Sequence, residues 1–179
     1  MTEIDVFRVW LDPRPEQAYV VIFKEAEGDR AIPMAIGVHE ARAIQMAIEG
    51  AELERPLTHD LFVSVLAELG ASLERVEIRE YRDGTYYADL IVDKDGETLK
   101  IDARPSDCAA IALRCGAPVL AADDVFQVAD ARILEDENGF TLMTGQESHS
   151  MGQESKGSSE DLDAFRRIIT DANLDEEDG

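Results

Sequence analysis

Three short polar clusters hold the residue types in this chain that could do chemistry. The first is His59-Asp60, inside RPLTHDL. An adjacent imidazole and carboxylate could bind a divalent ion, or the carboxylate could orient His59 as a general base. The same residues also suit a plain helix start, with Thr58 as N-cap, Asp60 set against the helix dipole and His59 a structural histidine. The second cluster is Arg82-Asp83-Gly84, in which Asp83-Gly84 is equally a competent hairpin turn. The third is DARPSD, residues 102–107. Asp102 ends a strand and Asp107 enters a helix, so their carboxylates could converge on one magnesium ion while Arg104 neutralises a phosphate. Alternatively, Asp107 complements the helix dipole and Arg104 pairs with Asp102.

Other chemistries have few candidates. The chain carries no GxGxxG, GxxxxGK[ST], GxSxG or HExxH pattern. Histidine occurs only at 39, 59 and 149. Cys108 and Cys115 lie seven apart on one expected helix, about 10 Å between Cα atoms, too far for a bridge. Both are expected to be small core residues.

The elements that must position these clusters follow from periodicity. Residues 3–10, 18–24 and 31–36 read as strands rich in β-branched and aromatic residues. Ala41, Ile44, Ala47 and Ile48 recur at helical spacing before Gly50. A second helix is expected over about 59–69, with Leu61, Phe62, Val65, Leu66 and Leu69 as its apolar stripe. Leu73, Val76 and Ile78 then alternate with charged residues. Two Asp-Gly turns, at 83–84 and 95–96, join three such runs into a predicted antiparallel meander. Tyr86 and Tyr87 must point to opposite faces, so one can be core and the other could stack on a base or a partner. Ser106 is the expected N-cap of a third helix ending at Gly116, followed by a short strand and a short helical piece. The order predicts an α+β fold: an antiparallel or mixed sheet with a β-meander and about three packed helices.

The chain has 39 Asp+Glu against 17 Lys+Arg, a formal charge of −22, and 45% hydrophobic residues. That composition suits a globular domain and opposes ordinary nucleic-acid binding, which needs a basic approach. The bases are 13 Arg and 4 Lys; acid-rich, Lys-poor surfaces suggest adaptation to high salt. No apolar run is long enough to span a bilayer, and the acidic start MTEIDVFRVW lacks a signal-peptide pattern, so a cytoplasmic location is expected. Composition shifts near residue 135, predicting a domain over 1–135 and an acidic tail over 136–179. TGQESHSMGQESKGSS reads as linker, and Leu162, Phe165, Ile168 and Ile169 as a short amphipathic helix.

Taken together and in order, IPMAIGVHEARAIQMAIEG (32–50), RPLTHDLFVSVLAELGA (55–71), RDGTYYADLIV (82–92) and IDARPSDCAAIALRCGAPV (101–119) resemble the bifunctional nuclease domain family. The resemblance covers roughly residues 1–135 and implies an α+β domain that assembles as a homo-oligomer and cleaves RNA and DNA. Carried across, the candidate catalytic positions are His59, Asp60, Asp83 and Arg104. A divalent ion, Mg2+ or Mn2+, would sit on Asp102, Asp107 and Asp60. It would polarise the phosphate and activate water, with His59 managing protons. The alternative is a non-catalytic oligomeric binding or regulatory module in which the same residues are caps, turns and subunit contacts.

Overall fold

Alternation of charged and apolar residues over 71–103 builds the meander that anchors the molecule. In the computed structural model, which describes residues 1–11, 18–51, 53–137, 139–145 and 147–152, this region forms three antiparallel strands. Counted along the chain they are β4 (Ala71–Arg82), β5 (Thr85–Lys94) and β6 (Glu97–Ala103). Asp83 and Gly84 adopt φ of +52° and +80°, and Asp95 and Gly96 +56° and +82°. Two successive positive φ angles match the right-handed twist of the flanking strands, which is why Asp-Gly serves both turns.

Before the meander come β1 (Thr2–Leu11), β2 (Tyr19–Glu25), β3 (Arg30–Ile36), α1 (Val38–Ile48) and α2 (Thr58–Glu68). After it come α3 (Pro105–Cys115), β7 (Val119–Ala121), α4 (Asp123–Ala129), β8 (Ala131–Asp136), β9 (Gly139–Thr144) and β10 (Glu147–Gly152). All ten strands belong to one sheet in the order β10-β9-β8-β3-β2-β1-β7-β4-β5-β6. β7 pairs parallel to β4 and antiparallel to β1, and so joins the two halves. The fold is α+β with a mixed sheet, as periodicity predicts. The three packed helices expected are α1, α2 and α3, and the short helical piece expected after the short strand is α4. Among the described residues no helix is long and apolar enough to cross a membrane.

The core has two parts, and β2 explains why. Val21 and Phe23 face the helices with Ile32, Ile44, Val76, Ile78, Leu90 and Cys108. Val20 and Ile22 face the other way, against Ile133, Phe140 and Leu142. A strand buried on both faces reads as an unbroken apolar run, here YVVIF, instead of alternating.

Several local expectations are corrected. Residues 139–144 and 147–152 pair as a hairpin that continues the sheet, so the first part of the stretch expected as linker is strand. Phe140 and Leu142 supply the burial that holds β9 there. The α2 stripe splits: Phe62 and Leu66 pack on the core, joined by Val63 from outside the stripe, while Leu61, Val65 and Leu69 are 55%, 45% and 61% exposed. Thr58 is already helical, and the N-cap position is Leu57, whose N–H donates to Asp60 Oδ2 at 2.9 Å. Likewise Ser106 lies inside α3, whose N-cap is Arg104 with Pro105 leading the helix. Proline suits that position because its missing N–H would have no partner in the first turn. Cys108 is buried as expected, but Cys115 is exposed. The amphipathic helix expected at 162–169 lies outside the described residues.

Candidate active site

Four of the candidate residues, His59, Asp60, Arg104 and Asp107, collect where α1, α2 and α3 meet. α3 begins directly after β6, so Arg104 and Asp107 stand at the mouth of the helix layer. α2 lays its first turn across α3. His59 Nε2 lies 3.1 Å from Asp107 Oδ1, and the imidazole is only 16% exposed. Arg104 forks onto the same carboxylate, Nε to Oδ2 at 2.7 Å and Nη2 to Oδ1 at 3.3 Å. Its remaining nitrogen, Nη1, reaches Glu40 Oε1 on α1 at 2.8 Å. Arg104 thus pairs with Asp107 and Glu40, not with Asp102. The guanidinium itself is 66% exposed, an accessible cation in an acidic chain.

Asp60, next to His59, turns the other way. Its Oδ1 accepts from Arg114 Nε and its Oδ2 from the Leu57 N–H. Burial pushes both Asp60 and Asp107 upward in pKa. The hydrogen bonds they accept, from Arg114 and Leu57 N–H for Asp60 and from Arg104 and His59 for Asp107, outweigh it. Both carboxyls therefore end below their ordinary value. They are held as anions, and that fixes what each can do. An anionic carboxylate can only accept, so the Nε2–H of His59 donates to Asp107, and in the neutral ring that makes Nδ1 the acceptor nitrogen.

Two of the sequence candidates stand apart from this junction. Asp102 lies on β6 directly opposite Asp89 of β5, and Arg79 bridges them, Nη1 to Asp89 at 2.6 Å and Nη2 to Asp102 at 2.9 Å. Asp89 alternates with Ala88 and Leu90, which pack under the helices, so Asp89 and Asp102 share the opposite face of the sheet. Asp83 occupies the tip of the β4–β5 hairpin, where its positive φ is accounted for by the turn. Tyr86 packs at the core edge, while Tyr87 stands on the other face with the Arg79 and Arg82 guanidinium groups over its ring.

The three carboxylates expected to share a metal ion are therefore each neutralised by a different arginine. Asp60 meets Arg114, Asp102 meets Arg79, and Asp107 meets Arg104. Among the described residues no group of three or more His, Cys, Asp and Glu is arranged to hold a metal. The expected donor set does not fit such an ion.

With that geometry in place, the chain can be set beside known proteins. The profile of the bifunctional nuclease domain matches residues 21–133, which include α1, α2, the meander and α3. The chain belongs to the bifunctional nuclease domain family. It is 41% identical over 149 residues to an uncharacterized protein of Mycobacterium tuberculosis, covering 82% of this chain and 88% of that one. It is also similar to bifunctional nuclease 1 of Oryza sativa subsp. japonica, at 27% identity over 111 residues, and to bifunctional nuclease 1 of Arabidopsis thaliana, at 24% over 111. Each plant match covers 60% of this chain, but only 33% of the rice protein and 34% of the Arabidopsis one. The bifunctional nuclease domain here contains every residue of the helix junction from Glu40 to Arg114.

Glu40, Arg79 and Arg114 escaped the sequence reading. Glu40 and Arg114 carried a faint signal, an acid in a first helical turn and a base in a last one, which ordinarily means dipole complementation and nothing more.

Proposed function

We propose that this chain hydrolyses phosphodiester bonds in RNA and DNA at the His59–Asp107–Arg104 junction. The observation that carries this reading is the His59–Asp107 hydrogen bond, closed on its other side by an exposed arginine, within a domain of the bifunctional nuclease family. Arg104 receives a phosphate oxygen and offsets the charge that grows in the transition state. His59, its Nε2–H committed to Asp107, accepts the proton of an attacking water at Nδ1 as the water oxygen bonds to phosphorus. The P–O ester bond breaks, the departing alkoxide taking its proton from solvent. Asp107 holds the ring in that tautomer and stabilises the imidazolium that forms. No step is assigned to a metal ion, because the carboxylates that would hold one are engaged by arginines. The formal charge of −22 opposes a polyanion, so activity is expected to rise with salt that screens the approach before it falls as phosphate contacts weaken. The test is cleavage of labelled RNA and DNA by the purified chain across a KCl series, with magnesium, manganese or EDTA and a His59→Ala control. Cleavage that survives His59→Ala would remove the basis of this reading. Loss of cleavage in EDTA would replace it with a metal-dependent one.

A second reading has its own observation. Leu57, Leu61, Val65 and Leu69 line one exposed ridge of α2 at four-residue spacing. Such a ridge fits self-association of the domain through α2, whether or not it is an enzyme. Light scattering of Leu61→Glu beside the unchanged chain tests it; equal masses would remove it.

A further inference from the structure

Arg114 sits in the last turn of α3, and its guanidinium serves three helices at once. Nη1 donates to Ala110 O of its own helix at 2.8 Å and to Ala43 O of α1 at 3.1 Å, while Nε donates to Asp60 of α2. The side chain is 11% exposed. Asp107 and Arg114 are seven residues apart, so they share one face of α3 about 10 Å apart. The first turn of α2 is thereby pinned to α3 at two points, His59 on Asp107 and Asp60 on Arg114.

We propose that Arg114 is a positioning residue, which sets the first turn of α2 so that His59 stays on Asp107. Without its guanidinium, the Asp60 carboxylate would face the carbonyl end of α3, a region of partial negative charge. Repulsion would lift the α2 terminus and carry His59 away from its partner. The role in cleavage rests on the nuclease reading above; the placement of His59 does not.

The experiment separates the two. Imidazole nitrogen–proton spectra of the full chain, with His59 assigned by its loss in His59→Gln, report the Nε2 hydrogen bond directly. In Arg114→Met the His59 signal is expected to move toward its position in Asp107→Asn. Cleavage should lose about a hundredfold in kcat, as expected for displacement of a catalytic group by about an ångström, with KM little changed. Arg114→Lys, which keeps the charge without the fork, should fall between. Adding Asp60→Asn to Arg114→Met removes the repulsion and should bring the His59 signal back toward wild type. A folded Arg114→Met chain with the wild-type His59 spectrum would overturn the proposal. Should Arg114→Met not fold, Arg114→Lys is read by the same criterion. If the wild-type chain cleaves nothing, the nuclease reading falls and the His59 spectrum alone decides the role of Arg114.

Discussion

Asp107→Asn is the substitution that best separates a catalytic role from a structural one. The side chain keeps its volume, but the charge goes and one oxygen becomes an N–H donor. The new amide would be free to donate to His59 Nε2, which reverses the bond now present at 3.1 Å. The ring proton then moves to Nδ1, the nitrogen that accepts the water proton. A blocked general base costs about 10²- to 10⁴-fold in rate. Stability should change far less. The Arg104–Asp107 pair has a partner that is 66% exposed, and pairs of that kind contribute roughly 0–1 kcal/mol. The His59 contact survives in reversed form. A loss of about 1 kcal/mol is expected, or about 2–4 °C in melting temperature for a chain of this size. Single-turnover cleavage of a labelled oligonucleotide beside a thermal melt gives both numbers. A variant within about threefold of wild type in rate would refute the proton-handling role, given the range expected for a lost general base. A large loss of stability with the same loss of rate would make Asp107 a scaffold residue.

Three further outcomes follow. Asp89→Asn should destabilise by about 2 kcal/mol in urea unfolding. The carboxylate is 3% exposed and paired with Arg79 and Lys100. The figure falls below the roughly 3–5 kcal/mol of a fully buried pair because Arg79 keeps Asp102 and Lys100 is well exposed; a change under about 0.5 kcal/mol would contradict it. In acid, Asp60 and Asp107 titrate below their ordinary value when folded, so they stabilise the protein above that value. The contribution is lost as pH falls through the lower folded pKa values. Asp60→Asn and Asp107→Asn should each flatten the acid limb of a stability-versus-pH curve, and an unchanged slope would contradict the assignment. With a thiol reagent near pH 8, Cys115 should react in the native protein and Cys108 only after denaturation, since burial raises the Cys108 thiol to about 12. Mass spectrometry of the labelled peptides decides it.

The elements of this protein are set by local signals. Val76 and Ile78 alternate with charged residues, and two Asp-Gly pairs supply the positive φ angles of the hairpin turns. Those features need only neighbours in the chain, so α+β and the meander follow from the sequence. The same local signals place His59, Asp60, Arg104 and Asp107 at helix starts. Partner choice is different in kind. Asp102 and Asp107 are five residues apart and read as one cluster, yet the strand-to-helix junction between them sends one to each face of the sheet. Strand periodicity ends at Ala103 and helix periodicity begins at Pro105, and no spacing rule crosses that change. Arg79 claims Asp102 from two strands away, and Arg114 reaches Asp60 across 54 positions. Strand order within the sheet gives Asp102 to Arg79, while the packing of α2 on α3 gives Asp60 to Arg114. That packing is set by buried area spread over many side chains, and no short motif carries it.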